Sequence, residues 1–102
     1  MNKELHRQIK LLKKKYINEG FDMIGFFGSY VRGEETDKND LDVLYQIPEI
    51  FRNKYPGWDS ILRLEEIRVE IEKKLNKKID MADKNALNKV AKKYILPEVM
   101  SV

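Results

Sequence analysis

The sequence predicts an α/β (α+β) domain, a small sheet of three or more strands flanked by helices in the order α-β-α-β-α-β-α. Three observations predict it. Apolar residues recur at helical spacing near the start of the chain and again in its middle. Two short apolar runs, residues 21–27 and 41–47, have the length and composition of strands. Between them runs Gly28-Ser29-Tyr30-Val31-Arg32-Gly33, which turns a strand into a helix, and then an acidic stretch that enters the second strand at Asp40-Leu41-Asp42.

Each element has its own justification. From residue 3 to 18, Leu5, Ile9, Leu12 and Tyr16 are spaced four, three and four apart, with lysines at 10, 13, 14 and 15 on the other sides. This is an amphipathic helix ended by Gly20. Its lysines could meet phosphate or nucleic acid, but a charge run on a helix is ordinarily a solvated face. His6 reads as an exposed polar residue. Residues 21–27 are apolar on both faces, as in a buried strand, and Gly25 leaves room for a close neighbour. Residues 29–33 are expected as a short helix.

Residues 41–47 form the second strand, antiparallel to the first if Gly28-Ser29 and Asp40/Asp42 are to meet one ligand. Alternation places Asp40, Asp42 and Leu44 on one face and Leu41, Val43 and Tyr45 on the other. Residues 46–58, with Pro48, Pro56 and Gly57, are expected to be irregular. Phe51, Tyr55 and Trp58 there are candidates for core packing, base stacking or a partner contact, core being the commonest fate of such aromatics. Asp59 or Ser60 can cap a helix running to about Leu75, with Ile61, Leu64, Ile67, Ile71 and Leu75 as its buried stripe. Glu65, Glu66, Glu70, Glu72, Arg63, Arg68, Lys73 and Lys74 form its exposed side. Residues 79–82 are a third strand, and without further information Asp80 is a turn or cap residue. Asp83 is expected to cap a last helix of about residues 85–94, its closeness to Asp80 leaving a place in the site as the alternative; Pro97 interrupts the helix, and residues 99–102 pack back as a tail.

The central stretch carries the chemistry. A Gly-Ser pair where a strand becomes a helix can aim backbone N–H groups and a hydroxyl at an anion. Two aspartates two apart on a strand share a face and can share a cation. Phosphates need N–H donors and magnesium needs hard oxygen ligands, so the two devices together suit a nucleoside triphosphate carrying its metal. Gly28-Ser29 alone would be an ordinary turn; the aspartate pair raises it. Arg32 has three readings: contact with the triphosphate, pairing with a site carboxylate, or a bridge to Glu34 or Glu35. Residues 34–42 hold five acids and one base, a local charge of −4 in a chain of net charge +3, so the remainder carries +7. Glu34, Glu35 and Asp37 read as a solvated loop, while Asp40 and Asp42 enter an apolar strand.

Gly28-Ser29, ten residues, then Asp40-Leu41-Asp42 resembles the G-S-x10-D-x-D signature of the nucleotidyltransferase superfamily, and within it the minimal nucleotidyltransferases often encoded beside a HEPN-domain partner. The run Phe27-Gly28-Ser29-Tyr30-Val31-Arg32-Gly33-Glu34 is similar to the family's F-G-S-x-x-R-G-E, and Lys78-Ile79-Asp80-Met81 to the later strand that brings a third carboxylate. The likeness spans residue 21 to the C-terminus. Asn39 stands where the family usually has Ser and Met81 where Leu is commoner; neither is a presumed ligand. The resemblance implies the nucleotidyltransferase fold with a mixed sheet. It also implies transfer of a nucleoside monophosphate, AMP in the first instance, from ATP or another triphosphate to a hydroxyl. Asp40 and Asp42 would bridge two magnesium (or manganese) ions, Asp80 would be the third ligand, and Gly28, Ser29 and Arg32 would bind the nucleotide. Only 22 residues follow Asp80, so the second substrate is expected from elsewhere. The resemblance implies a HEPN toxin whose tyrosine is adenylylated, with this chain as antitoxin, and a partner surface or dimerisation completing the site. The contrasting reading is a non-catalytic antitoxin that neutralises its partner by contact.

Composition narrows the field further. At 102 residues and 42% hydrophobic, the chain suits one compact domain over residues 1–102. There are no cysteines and one histidine, which removes disulfides, thiolate metal sites and thiol nucleophiles and leaves oxygen ligands for any metal. The absence of cysteine fits a reducing cytoplasm. No apolar run reaches the ~18–20 residues of a membrane span, and the Lys-rich start lacks an apolar signal region, so a cytoplasmic protein is expected. A pI near 9.0 hints at nucleic acid, but no RNP, KH or helix-turn-helix signature accompanies it.

Overall fold

The computed structural model describes residues 3–28 and 40–102; the expected short helix at 29–33, with Ser29 and Arg32, lies outside the described residues. Helix α1 (Lys3–Ile17) buries Leu5, Ile9, Leu12 and Tyr16, the four positions its spacing singles out. The chain turns at Gly20, whose φ of +89° belongs to glycine and whose Cβ position would lie 2.6 Å from Ile50 Cγ2. Strands β1 (Asp22–Phe27) and β2 (Leu41–Gln46) pair antiparallel, β3 (Ile79–Asp83) joins β2 in parallel, and a two-residue β4 (Met100–Ser101) lies antiparallel on β1. The sheet order is β3-β2-β1-β4. The sheet is therefore mixed, and the tail expected to pack back does so by adding a strand.

One face of the sheet meets α1 and α3 (Trp58–Leu75). Phe26, Leu41, Val43, Tyr45 and Ile79 pack there with Ile9, Tyr16, Ile67 and Ile71 into one core. Fully burying a side chain of this size contributes roughly 1.5–3 kcal/mol. An irregularity between Met23 and Gly25 shifts the β1–β2 register. Because alternation has a period of two, the extra residue lets Met23 and Phe26, three apart, both reach the core, and it turns Phe27 to the face that Asp42 occupies.

Five local expectations need correction. Residues 46–58 are not wholly irregular: Pro48 leads into α2 (Glu49–Lys54). This helix is too short for its single core anchor, Phe51, to show a period. Helix α3 starts at Trp58 behind Gly57, with no side-chain cap, and Ser60 Oγ instead donates to the Gly57 carbonyl. Its stripe begins one turn late, since Ile61 is 51% exposed. His6 is half-buried, its ring edge-on to Phe26 at 5.7 Å between centroids. At the other end, Asp83 does cap, but on the 3-10 turn Lys84–Ala86, by accepting from Asn85 N–H. Asn88 caps α4 (Lys89–Ile95), and Pro97 lies in the 3-10 turn Leu96–Glu98 that ends it.

The polar side of α3 is more than a wet face. Arg63, 17% exposed, grips both carboxylate oxygens of Glu19 at 2.8 Å and donates to Glu70 at 3.0 Å. Tyr55 OH donates to Glu19 and Tyr16 OH to Glu70. The network ties the end of α1 to α2 and α3. Further along, Glu72 accepts the Ile79 backbone N–H at 2.8 Å and pairs with Arg68, which pins the start of β3.

Candidate active site

β1 ends and β2 begins at one end of the sheet's two central strands, and the first parallel pairs of β2 and β3 lie beside them. Phe27 is the register partner of Asp42, and Asp42 is the register partner of Asp80. Paired residues share a face. Since Leu41, Val43 and Ile79 point into the core, Asp42 and Asp80 both point away from it. Asp42 is half-buried and Asp80 exposed. The Leu41 N–H donates to the Lys78 carbonyl at 2.9 Å, which closes the pair of strands at the end where the aspartates stand.

Gly28 follows Phe27 with φ +83°, and its missing Cβ would sit 2.2 Å from Asp42 Oδ2. Both facts demand glycine: any side chain would be strained at that φ and would displace the carboxylate. The structure thus brings together Gly28, Asp42 and Asp80. Asp40 stands one residue before β2 and is exposed. Among the described residues no three acidic or histidine side chains converge closely enough to form a ready metal cluster. The donor chemistry still suits a hard cation, because carboxylate oxygens gather here while His6 lies across the sheet against Phe26.

One feature of the site was not legible beforehand. Glu98 Oε1 accepts the Gly28 N–H at 2.9 Å across 70 residues of sequence; no local pattern signals such a contact. Behind the site, Tyr45 shares the core side of β2 with Val43 and is the register partner of Asp83 on β3. Burial first, and then the Asp83 charge, pushes its phenol above the ordinary value, so Tyr45 stays neutral and serves packing.

A glycine corner abutting one of two register-paired aspartates, at the end of a mixed sheet backed by helices, is the arrangement that the resemblance to nucleotidyltransferases implies. A family model described as the nucleotidyltransferase domain matches residues 5–99. The chain belongs to that family. It is 35% identical over 99 residues to a Methanocaldococcus jannaschii protein that carries a protein adenylyltransferase name, covering 96% of this chain and 90% of that one. It is 35% identical over 91 residues to the protein adenylyltransferase MntA of Thermococcus cleftensis, with 87% and 84% covered. A solved structure described as a minimal nucleotidyltransferase superposes with a TM-score of 0.77 over 97% of this chain and 93% of that one, at 20% identity, which shows a shared fold. Among the described residues no helix is long and apolar enough to cross a membrane.

Proposed function

We propose that this chain transfers AMP from ATP to a hydroxyl of a partner protein, and that the partner is a HEPN-type toxin for which this chain is the antitoxin. The observation that carries the reading is the pairing of Asp42 with Asp80 beside the Gly28 corner. The names of the relatives support AMP as the group moved and a protein as its acceptor.

In the reaction the acceptor oxygen attacks the α-phosphorus in line, the bond from that phosphorus to pyrophosphate breaks, and pyrophosphate leaves with the bonding electrons. The hydroxyl proton passes to the Asp80 carboxylate, which is exposed and so reachable by a macromolecular acceptor. The Gly28 N–H and Ser29 hold the β- and γ-phosphates, and Arg32 adds a charge-assisted contact to them. Asp40, Asp42 and Asp80 would hold magnesium, two ions in this reading, which would supply neutralisation of phosphate charge and a lowered pKa for the attacking hydroxyl.

The test is incubation of the protein with α-labelled ATP, magnesium and a candidate HEPN partner. Label bound covalently to the partner, with release of pyrophosphate, is the expected result. A partner that is neutralised yet stays unlabelled would overturn transfer in favour of neutralisation by contact.

A further inference from the structure

On the side of β1 away from β2 the antiparallel register pairs Gly25 with Ser101 and Phe26 with Met100. Continued two residues further, the same register sets Glu98 opposite Gly28, where its carboxylate accepts the Gly28 N–H at 2.9 Å. Among the described residues, other contacts also hold this terminal strap, and Met100 and Val102 pack partly buried against the core. Val102 N–H donates to the Ile24 carbonyl at 3.2 Å, and Lys13 Nζ donates to the Val102 carbonyl at 2.9 Å. The strap lies close because Gly25 lacks a side chain: a Cβ there would come within 2.3 Å of the Met100 carbonyl oxygen. A two-residue strand at a chain end is the kind of element that detaches first.

We propose that Glu98 is an internal competitor of the triphosphate: its carboxylate occupies the backbone N–H that a phosphate oxygen takes, so nucleotide binding and seating of the strap exclude one another. This rests on the nucleotide reading of the Gly28 corner. A carboxylate oxygen and a phosphate oxygen ask the same thing of an N–H donor, and one N–H in this geometry serves one of them. The two anions also repel. A site whose competent form is a minor fraction binds more weakly by that fraction. If the strap is seated about nine-tenths of the time, the nucleotide affinity is lowered about tenfold.

The experiment measures dissociation constants for magnesium ATP and for inorganic tripolyphosphate on the intact chain and on Glu98→Ala and Glu98→Gln, each checked for fold by circular dichroism. Tighter binding in Glu98→Ala, about five- to tenfold, with Glu98→Gln in between because it keeps an acceptor and loses the charge, is expected. A residue that merely braced the corner would give the opposite sign. Hydrogen exchange of the C-terminal peptide is expected to speed up when ATP is added to the unaltered protein. Unchanged or weaker binding in both folded variants overturns the proposal, as does a C-terminus that ATP protects or a protein that binds neither anion. Failure of the transfer reading is separately visible, because ATP would then bind without label reaching the partner.

Discussion

Gly28 and Asp42 are in such close contact that a methyl group on the glycine would fall 2.2 Å from Asp42 Oδ2. The glycine sits at φ +83°, so the corner is specified twice, by backbone conformation and by the carboxylate it must clear. Gly28→Ala is expected to cost about 1–3 kcal/mol of stability and to move Asp42 off its position. Thermal unfolding would show the first effect. Loss of nucleotide transfer well beyond the fraction unfolded would show the second.

The two register-paired aspartates place like charges side by side, and a bound cation would relieve their mutual repulsion. Asp42→Asn and Asp80→Asn should therefore unfold at the same temperature as the parent or slightly above, while transfer falls by at least about 100-fold, as expected when a group acting on the reacting atoms is removed. Turnover retained in Asp42→Asn would rule out its assignment.

Divalent ions are expected to matter for stability as well as turnover. A ligand that binds only the folded chain stabilises it by about 1.4 kcal/mol at roughly ten times its dissociation constant, a shift of about 6–11 °C for a domain this size. Magnesium titration should raise the unfolding temperature of the parent and leave that of Asp42→Asn unmoved, and excess EDTA should stop transfer reversibly. An equal shift in both proteins would place the ion elsewhere.

Arg63 binds Glu19 with both arms of its guanidinium. That contact, aided by Tyr55, holds the Glu19 carboxyl below the ordinary range. Glu70 is likewise lowered, by the Tyr16 hydroxyl first and then by Arg63, but it is more exposed and contributes less. A carboxyl depressed in the folded state adds stability above its unfolded pKa and loses it as pH falls through the folded value. Stability should thus be flat above about pH 5 and fall below about pH 4.3. Arg63→Met is expected to cost about 2 kcal/mol at about pH 7 and to weaken that acid dependence, a result that urea unfolding at about pH 7 and about pH 3.5, either side of the unfolded glutamate value, would check.

Much of this was open to reading from local pattern. The α1 stripe of Leu5, Ile9, Leu12 and Tyr16 is buried as its spacing demands, and β1 and β2 run antiparallel with Leu41, Val43 and Tyr45 inward. Local pattern failed where a neighbour in space decided. Ile61 has the right phase for the core but lies beyond its edge, and Glu72 looks solvent-facing but is claimed by the start of β3. Trp58, an aromatic beside core candidates, is left 70% exposed, whereas Phe51 seven residues earlier is wholly covered.

What the amino-acid order determined alone is the periodic and the near: helix faces, strand alternation, and the spacing that sets two aspartates on one side of β2. Tertiary structure alone decided the β1 irregularity that turns Phe27 toward Asp42, the parallel register that sets Asp80 beside Asp42, and the arrival of Glu98 at Gly28. The reason is that side-chain periodicity reports which way a residue faces within its own element, whereas register and edge pairing are settled by backbone hydrogen bonds between distant segments, which any residue but proline can make.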